Sequence, residues 1–159
     1  MKKCLVLKVL LLSLMLLVSG CADEGVTADD HYDREHDHDG EVTAFEIIDR
    51  SEDEVTAYVH GDHWHGDLPE IPVGENASLG AYIEADGGEE VVIDGDHHAL
   101  GVDLAEGAEE GIVSFDLHGD HVHLIGEQEG ETKVVFQFIH DGNVEYETPP
   151  LPLVVIGGS

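Results

Sequence analysis

Imidazole is the commonest protein ligand for zinc and its neighbours among the divalent metals, and this chain sets its imidazoles in a repeated pattern. His60-Gly61-Asp62-His63-Trp64-His65 returns as His118-Gly119-Asp120-His121-Val122-His123, so both hexapeptides read H-G-D-H-x-H. Three such groups in so short a stretch supply most of a four-coordinate site. A single histidine on a wet surface is an ordinary polar residue. Identical copies of a six-residue cluster are harder to explain as surface alone, and the chain's 12 His fall mostly in such clusters.

The spacing has a geometric consequence. Gly-Asp between two strand-like stretches predicts a two-residue hairpin loop, with Gly first as a type II′ turn requires. Residues flanking such a loop face each other, and side chains alternate between the faces of the ribbon. In the second copy His118 then opposes His121, Leu117 opposes Val122, Asp116 opposes His123, and Phe115 opposes Leu124. One face carries Ser114, Asp116, His118, His121 and His123, with Ile125 the one apolar residue beside them. The other carries Val113, Phe115, Leu117, Val122 and Leu124.

The first copy sorts in the same way. Thr56, Tyr58, His60, His63, His65 and Asp67 share one face, and Val55, Ala57, Val59, Trp64 and Leu68 share the other. Directly opposed Cβ atoms stand about 4.5–5.5 Å apart. That spacing suits three nitrogens converging on one ion at about 2.0–2.1 Å. Asp116 is the natural fourth ligand or supporting partner of the second triad, and Asp67 or Tyr58 of the first. The expected metal ligands are therefore His60, His63, His65 and Asp67 in one site, and Asp116, His118, His121 and His123 in the other.

The leader and the thiols narrow the choice of metal. Lys2 and Lys3 form a positive start, and residues 9–18 are apolar apart from Ser13, too short a run to span a bilayer. Val18-Ser19-Gly20-Cys21 follows and resembles a bacterial lipobox. The resemblance implies cleavage of residues 1–20 and lipidation of Cys21, which anchors the mature chain outside the cytoplasm to a membrane it does not cross. Cys4, Met1 and Met15 leave with the leader and Cys21 becomes the anchor, so no soft sulfur ligand remains. This disfavours copper(I) and favours zinc, with nickel, cobalt or copper(II) as other occupants of a nitrogen and oxygen site.

Charge excludes some partners. The chain has 36 Asp and Glu against 6 Lys and Arg, a formal net charge of −30. Lys2, Lys3 and Lys8 fall in the leader, leaving Arg34, Arg50 and Lys133 as the only other cations. Nucleic acid and anionic lipid are poor partners for such a surface. The acidity fits either a saline habitat, where salt screens the repulsion, or a surface that concentrates cations. A saline habitat explains Asp and Glu but leaves the clustered His unexplained.

Residues 21–40 form an acidic stretch poor in apolar residues, expected to remain a disordered tether. Its His31, His36 and His38 suit a metal-collecting arm. From residue 41 the chain reads as short strands separated by Gly, Asp, Asn and Pro. The expected strands are 42–48, 55–60, 63–68, 77–84, 90–93, 98–104, 112–118, 121–125, 132–139 and 151–156. No segment keeps a helical period, so residues 41–159 are expected to form one all-β sandwich. Asp94-Gly95-Asp96-His97-His98 reads as a turn before two His on opposite faces, where a ligand or a calcium contact is possible and a solvated turn suffices. His140-Asp141-Gly142-Asn143 reads as a hairpin loop.

Several resemblances add to this reading. Ile71-Pro72-Val73-Gly74-Glu75 followed by a strand and Ala85-Asp86-Gly87-Gly88 resembles the early part of bacterial Ig-like domains of the BIG-2 kind. Gly111-Ile112-Val113-Ser114-Phe115 through Gly126 to Val135 resembles their later hairpin and following strand, and Pro149, Pro150 and Pro152 before residues 153–156 resemble their last strand. The resemblance implies an Ig-like β-sandwich and leaves function open. Both hexapeptides also resemble the H-x-x-H-x-H motif of streptococcal histidine triad surface proteins, which implies zinc handling. Asp120-His121-Val122-His123 resembles the H-V-H of copper–zinc superoxide dismutases, but after His123 only His140 remains, and that family's further ligand series is missing.

No nucleophile elbow, phosphate loop or H-E-x-x-H motif is present, and no enzyme is expected. The sequence thus predicts a lipoprotein of the cell envelope that captures, buffers or delivers zinc or a similar ion, with an envelope metal transporter as a possible partner. The rival expectation is a non-catalytic Ig-like structural or adhesion module of a halophilic envelope.

Overall fold

The computed structural model describes residues 41–85 and 87–158. The leader, Cys21, and the tether with His31, His36 and His38 lie outside the described residues, as does Asp86. The described chain forms strands β1 (Ala44–Asp49), β2 (Glu54–His60), β3 (His63–Gly66), β4 (Ile71–Pro72), β5 (Asn76–Ala85) and β6 (Glu89–Val91). It continues as β7 (His98–Leu104), β8 (Val113–Leu117), β9 (Val122–Gly126), β10 (Gly130–His140), β11 (Asn143–Glu147) and β12 (Leu151–Ile156). Among the described residues no helix is long and apolar enough to cross a membrane.

The strands make two sheets. One runs β3-β2-β1-β5-β9-β8, with β6 also paired to β5; the other runs β11-β10-β12-β4, with β7 also paired to β10. Neighbours are antiparallel except β4, which lies parallel to β12. Period-two alternation supplies the core. Phe45, Ile47, Leu79, Ile83, Val122 and Leu124 come from the first sheet. Leu100, Phe136, Phe138, Leu151 and Leu153 come from the second and join the same cluster. Each such side chain contributes about 1.5–3 kcal/mol on full burial.

Trp64, the middle residue of the first H-x-H, ties its hairpin to that core. Its ring meets Phe45 edge-on at 6.4 Å and Phe136 at 6.3 Å, so it touches both sheets. Its Nε1–H donates to the Pro149 carbonyl at 2.7 Å, which satisfies the one polar atom of the indole.

All ten expected strands occur, with boundaries shifted by a few residues, and two further strands appear. β4 is a two-residue strand, too short to carry a pattern. β11 is mostly exposed and polar, so its alternation carries little apolar signal. Two residues assigned to the apolar face are exposed. Pairing slips between Ile47↔Ala57 and Ile48↔Val55, which leaves Thr56 as the extra residue of a β-bulge. The bulge rotates Val55 outward, where it is 50% exposed. Leu117 keeps its register with Val122 but ends the edge strand β8, and it is 54% exposed.

Gly66 ends β3 with φ of 86°, so the alternation expected through residue 68 stops there. A Cβ on Gly66 would collide with the Thr56 carbonyl oxygen. Gly61 also has positive φ, 66°, but a Cβ there would meet nothing within 4 Å. Gly61→Ala therefore adds only backbone strain, about 1–2 kcal/mol. Gly66→Ala adds the same strain and a clash that displaces β3 from β2, so it should cost clearly more. Urea unfolding of the two variants checks this, and equal losses would contradict the bulge geometry.

Candidate metal centres

Both hexapeptides form the hairpin their spacing demands. His60 pairs with His63, Val59 with Trp64, and Tyr58 with His65. In the second copy Asp116 pairs with His123 and Leu117 with Val122, and the His118 N–H donates to the His121 carbonyl at 3.0 Å. Gly61 and Gly119 take positive φ, while Asp53 and Asp141 are the only other residue types to do so among the described residues. Positive φ at the first turn position alone is the mark of a type II′ turn.

The imidazoles gather as expected. In each triad one nitrogen or the other of every ring lies within 4.8 Å of its partners. Two nitrogens on a tetrahedral zinc stand about 3.3 Å apart, a gap that side-chain rotation closes. The first triad is wholly exposed; in the second only His118 is exposed, and His121 and His123 are half-buried. The second triad is also tighter at its turn, where the His118 and His121 rings stack at 4.5 Å and 9°.

Sheet order settles how the two groups relate. Register places Tyr58 beside Glu46, Glu46 beside Tyr82, and Ser78 beside His123. Ser78 and Tyr82 lie an even number of residues apart on β5, so both triads stand on one face of the first sheet. Between β2 and β9 lie β1 and β5, which is three strand spacings, about 14 Å. One ion cannot bind both triads, so they are two separate candidate sites.

The expected oxygen ligands divide. Asp116 stands beside the second triad, its Oδ2 3.3 Å from His118 Nε2, placed either to accept that ring's N–H or to enter as a fourth ligand. Asp67 lies past the strand end at Gly66 and is not among the groups that cluster with the first triad. Tyr58 lies flat on His65, ring centroids 5.1 Å apart, and so orients that imidazole through its face.

The structure adds a role that the spacing did not disclose. The Asp of each turn reaches the next histidine: Asp62 Oδ1 is 3.2 Å from His63 Nδ1, and Asp120 Oδ1 is 2.7 Å from His121 Nδ1. An Nδ1–H donated to a carboxylate fixes the tautomer and leaves Nε2 with its lone pair, the usual support of a metal-ligating histidine. The hydrogen bond from His121 holds the Asp120 carboxyl below the usual range, and Arg50 adds to the effect. His63 does the same to Asp62. The signal available in the sequence was the Asp-His step itself, present in both copies.

Bracing differs between the turns. Gly119 packs against Gly95, such that a Cβ on Gly119 would stand 2.9 Å from the Gly95 Cα. The Gly119 carbonyl also accepts from the Leu100 N–H at 2.7 Å. The first turn has no such neighbour at Gly61. No family model matches the chain, and no curated protein matches it.

Two outcomes follow. Asp120→Ala should weaken zinc binding at the second triad about 10–100-fold and leave the first unchanged, as read by calorimetry; an unchanged affinity would remove Asp120 from the site. The second outcome concerns pH. Burial, together with the positive charge of His118 and His121, lowers the His123 pKa from its ordinary value. A proton competes with the metal for the imidazole, so the depressed value keeps His123 available below about pH 6.5. In the metal-free protein the unfolded chain binds that proton more tightly, so stability falls as pH drops through about 6.5 toward the lower folded value. Thermal melts with and without zinc from pH 7.5 to 5 check both signs, and a metal-induced shift that does not shrink with acid would point to carboxylate binding.

Proposed function

We propose that this protein is a non-catalytic metal-capture lipoprotein of the cell envelope, which binds zinc or a similar divalent ion at two independent histidine centres. One observation carries the reading: two copies of one hexapeptide place three imidazoles each on the same face of one sheet. The donor set is nitrogen and oxygen, which suits zinc, nickel, cobalt or copper(II). An Ig-like scaffold and a lipid on Cys21 are supported by sequence resemblance. A chain with 36 acidic residues draws cations toward the sites. An envelope metal transporter is the natural recipient of the captured ion.

The second triad, braced at its turn and half-buried, should fill first, because less side-chain freedom is lost on binding. Trp64 lies between two ligands of the first triad and is the chain's single tryptophan, so its emission reports that site. Copper(II) should give a tight calorimetric phase without change in Trp64 emission, then a weaker phase with quenching. Replacing His118, His121 and His123 by Ala should delete the tight phase and keep the quenching. Replacing His60, His63 and His65 should do the reverse. Unaltered phases in both folded variants would overturn the proposal and favour a structural module.

A further inference from the structure

A third group of histidines forms where two distant segments meet. His98 opens β7 and His140 closes β10, and the two are cross-strand partners with ring centroids 4.8 Å apart. Two residues further along each strand come Leu100 and Phe138, both buried. His98 and His140 therefore sit on the core-facing side of the second sheet, at its end, and the His98 ring lies 5.5 Å from Phe138. Spacing alone did not join His97-His98 to His140-Asp141, since more than forty residues separate them.

Asp141 gathers the group. Its Oδ1 is 3.0 Å from His97 Nδ1, and its Oδ2 is 3.6 Å from His140 Nε2. Its backbone N–H donates to the His97 carbonyl at 2.8 Å, and it holds φ of 48°, a left-handed conformation that Asp tolerates. The other segment is fixed by Asp94, whose Oδ1 accepts the N–H groups of Asp96, His97 and His98 at 2.9, 2.9 and 3.0 Å. His98 Nδ1 lies 3.2 Å from the Val92 carbonyl. Donation to that carbonyl places the proton on Nδ1 and fixes the ring's orientation.

Three imidazoles and one carboxylate supply the donors of a four-coordinate set for zinc or nickel, although among the described residues only the two triads already hold three donors within 4.8 Å of one another. Asp141 now accepts from the His97 ring and stands at ion-pair distance from the His140 ring, and a cation would take the place of the protons between them. We propose that His97, His98, His140 and Asp141 form a third divalent-metal site, weaker than the two triads because its donors must first draw together around the ion. It neighbours the second triad through the Gly95–Gly119 contact, so it would stand next in line for an ion released there. The proposal rests on its own four donors and does not need the triads to bind.

The test uses the full chain with the six triad histidines replaced by Ala, and nickel alone as probe in equilibrium dialysis. Adding His97→Ala and Asp141→Asn to that background should remove one equivalent of nickel, or weaken it about 10–100-fold. Both positions are exposed, and Asn accepts the left-handed backbone, so the fold should persist by circular dichroism. Any nickel held elsewhere in the chain is common to both proteins and cancels in the difference. Equal binding by the two folded proteins would overturn the third site without touching the triads; a triad variant that loses nothing would overturn the triads without touching this site.

Discussion

Cross-strand pairing over a two-residue turn is the constraint on which the rest of this molecule depends. Once Gly61-Asp62 and Gly119-Asp120 close their turns, the flanking His must oppose each other, and the next residue outward must point the other way. Trp64 and Val122 are those next residues. Each is driven toward the core, and each thereby holds an imidazole on either side of it on the opposite face of the sheet. A one-residue slip would bury the histidines and expose the apolar residues. Burial of the core thus specifies the ligand geometry.

Charge acts on a different scale. The orienting carboxylates, Asp62 and Asp120, work at hydrogen-bond distance and set which imidazole nitrogen carries the lone pair. The many other acids act as a field that raises local cation concentration and that salt screens. Surface ion pairs such as Arg50–Asp120, at 3.9 Å and exposed, contribute little to stability by themselves. The Asp120 carboxyl is held down chiefly by its hydrogen bond from His121, to which Arg50 adds a smaller attraction.

Most of the fold and both triads were legible because they follow from a period of two and from turn chemistry, which are local. Every pairing within the hexapeptide hairpins agrees with the sequence. What escaped depends on longer range or on backbone detail. The bulge at Thr56 inserts one residue without a sequence mark and turns Val55 outward. Gly66 ends β3 early and leaves Asp67 out of the first cluster, because its backbone approaches a neighbouring carbonyl. β11 has little apolar signal, although its Tyr146 reaches Phe45 at 5.8 Å. The meeting of His97-His98 with His140-Asp141 depends on β7 pairing with β10, a contact no local pattern announces.

On the proposed function the histidine hairpins hold metal through the three imidazoles of each repeat. Anomalous diffraction at the zinc edge from crystals of the zinc-loaded protein tests it most directly. Two separate peaks are expected on one face of the first sheet, each about 2.0–2.1 Å from nitrogens of His60, His63 and His65 or of His118, His121 and His123. Zinc found only on scattered carboxylates, with both triads free of anomalous density, would contradict it.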